Sequence, residues 1–441
     1  MNQSRISTKI AESSAGLDRR RFLSLAATAA ALSSVGIAGA KAGDRMLAAL
    51  TGDSTAAQAL GSSSDQILVS IQLEGGLDFL DTVIPFDDTR YQRLRSRSGV
   101  ELDRVHDLDG EFGLHPNLSH LASRWRAGEL GIVHGVGVTE PSLSHFVDSA
   151  VWERGRTTDI ADGGWLARAL RTAGGREADP LLGISIGSLS PTMASPDWNA
   201  VALPEDGRLP WTKEFIQEFP TLVHASGQTV AASAAGLTGQ VRAAQRLVRD
   251  VADTVGGATN LAALAETVEL LESEGSDSSV DDEIEGGLLT HRLRIVADLI
   301  TAGMPTRAYH VRFGGFDTHS NQQANLPLLL SELNSALAQF DAALGNRRRD
   351  VVIATWTEFG RRPDWNGSGT DHGTAGTHFV LGPSVSGGHH GQPVDLSRFD
   401  SDDNFVVTSD FRTYLGSLAS EIIGVDPERI LQPPATMELL K

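Results

Sequence analysis

Two short runs of almost unbroken apolar residues, Gln66-Ile67-Leu68-Val69-Ser70-Ile71-Gln72-Leu73 and Asp350-Val351-Val352-Ile353-Ala354-Thr355-Trp356-Thr357, narrow the choice of fold more than anything else in this chain. A strand that is apolar on both sides must be covered on both faces, and a parallel sheet sandwiched between helices provides that cover. Further strands are expected at Gly131–Val136, Leu182–Ile186 and Ala308–Phe316, with helical spacing at Leu118–Trp125 and Leu326–Leu344. This alternation is the signature of βαβ units. The expected fold class is therefore α/β, a mostly parallel sheet with helices on both faces. In such sheets functional residues gather where strands reach their carboxyl ends.

The N-terminus has a different character. Asp18-Arg19-Arg20-Arg21-Phe22-Leu23 opens an uncharged Ala/Ser/Leu/Gly-rich run that reaches Ala40, the layout of a signal peptide. The paired arginines resemble a twin-arginine export signal. Residues 1–42 are expected to be that signal, with cleavage after Ala40 or Ala42, and 43–65 a flexible lead-in. An uncleaved anchor is the alternative, disfavoured because the run is rich in Ala rather than Leu. The mature chain is then expected outside the cytoplasm, periplasmic, cell-surface or secreted, with the twin-arginine translocase as its partner during export and no stable membrane span afterwards.

The remaining roughly 400 residues exceed an average domain but suit a large single-sheet enzyme. One domain is expected over 66–441. Within it 227–303 reads as amphipathic helices forming an insertion or lid, broken by the acidic, Ser-rich stretch 272–285. The chain contains no cysteine, which removes disulfides, thiolate zinc sites and cysteine nucleophiles. Its formal charge is −19, and loss of the basic signal takes it to about −22. Such a surface repels nucleic acid and anionic lipid.

The residues just beyond the expected strands are rich in carboxylates, imidazoles and hydroxyls. The first strand runs into Gly75-Gly76-Leu77-Asp78 and the second into Thr139-Glu140-Pro141-Ser142-Leu143-Ser144-His145. Phe316 is followed by Asp317-Thr318-His319, and Thr357 by Glu358-Phe359-Gly360-Arg361-Arg362. Thr370-Asp371-His372-Gly373 and Thr377-His378 come soon after. Oxygen and imidazole donors brought to one sheet edge are what a divalent cation requires, whether zinc or a harder ion such as magnesium, manganese or calcium. Gly387-Gly388-His389-His390-Gly391 is read as an exposed loop, and Trp152, Trp165 and Trp356 as packing residues.

The blocks Gly75–Asp78, Ser144–Phe146, Gly314–His319, Thr357–Arg361 and Gly369–Gly376 resemble the signatures of the exported bacterial domain-of-unknown-function family 1501. That family is similar to the alkaline phosphatase and sulfatase superfamily. The resemblance implies metal ligands at Asp78, Asp317, His319, Asp371, His372 and His378, and a nucleophile near Ser144, with Ser142 and Thr139 as rivals. Asp317 and His319 stand closer in sequence than the corresponding superfamily pair, and Asp371-His372 follows a Gly-rich excursion through 366–369. Either Glu358 takes over a ligand role or the excursion folds back to deliver the pair. Arg361 or Arg362 would grip a tetrahedral anion with paired hydrogen bonds.

Two functions are thus expected. One is a metal-dependent hydrolase of small anionic phosphate or sulfate esters. The other is a non-catalytic envelope or surface protein that keeps the fold and binds an exported partner protein. A serine esterase is disfavoured because no Gly-x-Ser-x-Gly surrounds Ser142 or Ser144.

Overall fold

The computed structural model describes residues 66–157, 163–175, 178–203, 287–301, 303–433 and 435–441. The expected signal, the lead-in and positions 227–286 of the expected insertion lie outside the described residues. Among the described residues a nine-stranded sheet organises the chain, its strands lying side by side as 388–390, 130–137, 376–381, 351–356, 67–73, 308–313, 183–186 and 201–203, with 409–410 paired to 130–137. The strands are β1 (Ile67–Leu73), β5 (Leu130–Gly137), β6 (Gly183–Ile186), β7 (Val201–Leu203), β8 (Ala308–Phe313), β9 (Val351–Trp356), β12 (Gly376–Leu381), β13 (Gly388–His390) and β14 (Ser409–Asp410). Two small sheets flank it, β2 (Val83–Ile84), β3 (His106–Asp107) and β4 (Gly113–Leu114) in one, β10 (Gly360–Trp365) and β11 (Thr370–Gly373) in the other. Only β12 runs against its neighbours β5 and β9 in the large sheet, and every other pairing there is parallel.

Period-two alternation divides the core in two. Ile67, Val69, Ile71 and Leu73 of β1 join one apolar cluster. Helices α2 (Ser119–Arg126), α5 (Leu288–Thr301) and α6 (Gln322–Leu344) cover that face. In α6, Leu326, Leu330, Leu333, Leu337, Phe340 and Leu344 recur every three or four residues and are all buried. Leu68, Val352, Ala354 and Trp356 point to the other cluster. There α3 (His145–Arg154), α4 (Trp165–Gly174), α7 (Phe411–Leu418) and the short α8 (Pro427–Ile430) cover the sheet. One further short helix, α1 (Thr89–Leu94), belongs to the connection after β2. The α/β architecture with helices on both faces is the one expected. Among the described residues no helix is long and apolar enough to cross a membrane.

The structure places three segments more closely. The Gly-rich excursion 366–369 is the turn of the β10–β11 hairpin, where the Asn366 N–H donates to Gly369 O at 2.9 Å. Gly387–Gly391 is not a free loop. It contains β13, paired in parallel with β5, so His389 lies opposite Ile132 and packs on the His134 ring at 4.8 Å. Finally, the last part of the expected insertion is α5, an integral layer of the first core.

Candidate metal centre

Because β1, β5, β8 and β9 point the same way, their carboxyl ends share one edge, and the loops after them meet there. Gly75 and Gly76 make the approach possible. Both have positive φ, and a Cβ on Gly75 would stand 2.3 Å from the backbone N of Asp317. No larger residue fits.

At this edge Asp317 is surrounded by three imidazoles. Its Oδ1 lies 2.9 Å from His372 Nε2 and 3.1 Å from His319 Nε2, and its Oδ2 lies 3.3 Å from His145 Nε2. Each ring uses its other nitrogen on an acceptor. His372 Nδ1 meets Leu143 O at 2.8 Å, His145 Nδ1 meets Glu358 Oε1 at 2.8 Å, and His319 Nδ1 meets Asp371 Oδ1 at 2.8 Å. A carbonyl can only accept, so His372 carries its proton on Nδ1. The same assignment follows for His145 and His319 where Glu358 and Asp371 accept from them. Glu358 also accepts from the Gly75 N–H at 2.9 Å, and Asp371 from Asn366 Nδ2 at 2.9 Å.

In the neutral rings this leaves three Nε2 lone pairs turned toward one carboxylate, with His319 Nε2 and His372 Nε2 only 2.9 Å apart. Lone pairs at that spacing repel unless a proton or a cation stands between them. Three imidazoles and one carboxylate, each ring steadied from behind, is a donor set that suits a divalent transition metal. His145, Asp317 and His372 offer ligand atoms all within 4.8 Å of one another.

The carboxylate is held ready. Burial would raise its pKa, but a proton shared from His372 Nε2 in the cation-free cluster and the Arg361 guanidinium outweigh that and hold Asp317 well below the usual carboxylate range. Asp371 is also depressed, first by the hydrogen bond from Asn366 and then by that from His319. Leu143 adopts a left-handed backbone, φ 60°, which non-glycine residues avoid. That conformation accompanies the aim of its carbonyl at His372.

Asp317, His319 and His372 therefore converge, while Glu358 and Asp371 stand behind the rings as orienting carboxylates. Asp78 does not reach them. Its carboxylate accepts from Arg95 Nε and Nη2, both at 3.1 Å, from Gln322 Nε2 at 2.6 Å and from the Leu80 N–H at 3.1 Å. Those four donors occupy it inside the fold, and its neighbour Asp81 is pushed up to about 7 by burial and by the Asp78 charge. His378 also lies elsewhere. Its ring packs between Trp152 and Tyr414, and among the described residues neither nitrogen has a partner.

Arg361 corrects another expectation. Fully buried, it donates to Gly76 O at 2.8 Å, Thr370 O at 2.7 Å and Phe316 O at 2.8 Å, to Gly75 O, and to Asp317 Oδ1 at 2.8 Å. A guanidinium so committed binds strand ends together and is not free for a substrate anion. Ser144 stands at the start of α3, partly exposed, and its hydroxyl makes no hydrogen bond among the described residues. Ser142 Oγ accepts from the Ser144 N–H at 3.1 Å. His145 joins the cluster although the strand-end pattern does not single it out as a ligand. The signal was present, a histidine opening a helix directly after the loop that follows β5.

Fold and cluster together define an α/β protein with a histidine–carboxylate centre at the carboxyl edge of its sheet. A family described as "Protein of unknown function (DUF1501)" matches residues 224–433, which contain the blocks Gly314–His319, Thr357–Arg361 and Gly369–Gly376 of the resemblance seen in the sequence. No curated protein matches the chain. Among solved structures the chain is similar to Ps i-CgsB in complex with k-i-k-neocarrahexaose, at 9% identity and a TM-score of 0.37, covering 84% of this chain and 75% of that one. It is also similar to the lipoteichoic acid synthase LtaP from Listeria monocytogenes, at 9% identity and a TM-score of 0.36, with 86% and 77% covered. A third is a TAB5 alkaline phosphatase mutant with Mg bound in the M3 site, at 10% identity and a TM-score of 0.29, with 73% and 92% covered. Likenesses this remote assign no activity to this chain.

Proposed function

We propose that this protein is an exported metal-dependent hydrolase of phosphate or sulfate esters, its cation held by His145, Asp317, His319 and His372. One observation carries the reading: three imidazoles, each held through Nδ1 by an acceptor, direct Nε2 at a single carboxylate. A bound divalent ion would supply Lewis acidity, lowering the pKa of a hydroxyl or water and neutralising an ester oxygen. The chain's own parts then have separate tasks. Glu358, Asp371 and the Leu143 carbonyl fix ring orientation, and Arg361 fixes Asp317. Ser144, one residue before His145 and with a free hydroxyl, is the candidate nucleophile. On a strongly acidic surface, a local cationic centre is also the place where an anionic ester would be held.

The test is elemental analysis of the purified mature protein, followed by aryl phosphate and aryl sulfate assays. Stoichiometric zinc, manganese, magnesium or calcium is expected, and it should be lost in Asp317→Asn and His372→Ala. Glu358→Gln, which removes the charge behind His145 and beside the Gly75 N–H, should weaken the metal by ~10–100-fold. Metal at background level after reconstitution with each of the four ions would sink the proposal.

The commitment of Arg361 and Asp78 to the fold favours a second reading, a non-catalytic envelope protein that keeps one ion and binds an exported partner protein. Retained metal with no turnover across both ester classes is its expected result.

A further inference from the structure

Away from the metal centre lies a cavity of about 640 Å³ whose lining includes His134 and Gly135 of β5 and Thr377 of β12. Phe79, Phe112 and Leu396 give it apolar walls, and the exposed carboxylates of Asp87 and Glu111 also line it. Asp88 and Arg90, which lie beside them, are already paired at 2.7 Å.

His134 is not an ordinary buried histidine. Asp109 Oδ1 accepts the N–H groups of Glu111 and Phe112 at 3.0 and 2.8 Å, while Oδ2 meets His389 Nε2 at 3.0 Å. His389 Nδ1 in turn lies 2.6 Å from His134 Nε2. The direction of this chain follows from its acidic end. The carboxylate can only accept, so His389 carries its proton on Nε2 and turns a lone pair toward His134. His134 must then donate from Nε2. Its Nδ1 is left as a bare acceptor with no hydrogen-bond partner among the described residues.

Phe112 holds both rings, with centroids 5.2 Å from each. Burial, with the neighbouring His389 second, pushes His134 down to about 3, so the ring stays neutral and the acceptor stays available. On a ring that lines the cavity, an acceptor that no protein group meets is open to a donor from a ligand.

We infer that this cavity binds a small organic cation that also carries a hydroxyl. The hydroxyl donates to His134 Nδ1, the apolar body lies between Phe79, Phe112 and Leu396, and the ammonium faces Asp87 and Glu111. A cavity that combines apolar walls with one oriented polar group and, outside the Asp88–Arg90 pair, rim charges of a single sign has the form of a small-molecule site. The aromatic faces of Phe79 and Phe112 add attraction for a cation. The site is independent of the metal centre.

Titration calorimetry of the mature protein with three probes of one size tests it. Tyramine has ring, hydroxyl and ammonium; phenethylamine lacks the hydroxyl; 3-(4-hydroxyphenyl)propionate replaces the ammonium by a carboxylate. Tyramine should bind about tenfold more tightly than phenethylamine, the worth of one buried hydrogen bond. The carboxylate should bind weakest. In His134→Phe the preference for tyramine over phenethylamine should vanish. If that variant fails to fold, the surface variant Asp87→Asn/Glu111→Gln should narrow the gap between tyramine and the carboxylate probe, leaving metal content unchanged. Absence of binding by all three probes, or equal binding of tyramine and phenethylamine to the unaltered protein, overturns the inference.

Discussion

Arg361→Met is expected to destabilise the protein by about 4 kcal/mol or more, the largest loss of any single substitution near the centre. The side chain is wholly buried and donates to carbonyls at the ends of β1, β8 and β11 as well as to Asp317. Removing it strips a donor from four buried carbonyls, and each unmet group costs ~1–3 kcal/mol. Lysine should not rescue the fold, because a point charge on a flexible stem cannot reach three separate loops in the plane of a guanidinium. Urea unfolding of the metal-free variants measures the effect without interference from bound ion. A loss below about 1 kcal/mol, within the range of surface substitutions, would show that the guanidinium is not the joint described.

Stability should peak near pH 6.5 and fall on the order of 4 kcal/mol by pH 4.5. Burial lowers His134, His310 and His378 from 6.5 to about 3, and His115 to about 4. Between those values the unfolded chain binds protons that the folded chain refuses, so acidification favours unfolding. Asp81 and Glu153 work the other way. Burial raises each to about 7, and the fold takes up protons there before the unfolded chain does. Four imidazoles against two carboxyls leave a net of about two protons, or ~3 kcal/mol per pH unit at most. Below that range the depressed carboxylates Asp317 and Asp371 add to the loss. Chemical unfolding at pH 6.5, 5.5 and 4.5 gives the slope. His378→Leu should flatten it by about one proton and raise stability outright, since two unpartnered buried nitrogens are removed. A flat profile would contradict the buried neutral rings.

Much of this architecture was legible in the residue pattern, because β1 and β9 are apolar on both sides and α6 repeats its leucines at helical spacing. The strand-end rule likewise led to Asp317, His319 and the 371–372 pair. What the pattern did not carry was direction and partner choice. Asp78 stands at a strand end like a ligand, yet Arg95, well along the chain, claims it. His378 alternates with apolar neighbours on β12, and its side of the strand faces Trp152. His389 sits among glycines and reads as loop, because its ladder is formed with β5, some 250 residues earlier. Long-range pairings of this kind leave no local periodicity to read.

The centre draws His145, Asp317, His319 and His372 from three separate stretches, the last of them borne on the β10–β11 hairpin. Such a constellation has no counterpart in a nascent or unravelled polypeptide, so an ion bound there would be captured by the folded chain and would add its binding free energy to the stability of the fold. Which ion the molecule owns would then be settled wherever folding finishes. If the chain is exported already folded, as the proposed function has it, that compartment is the cell interior, and its metal supply, not that of the destination, would dictate the choice.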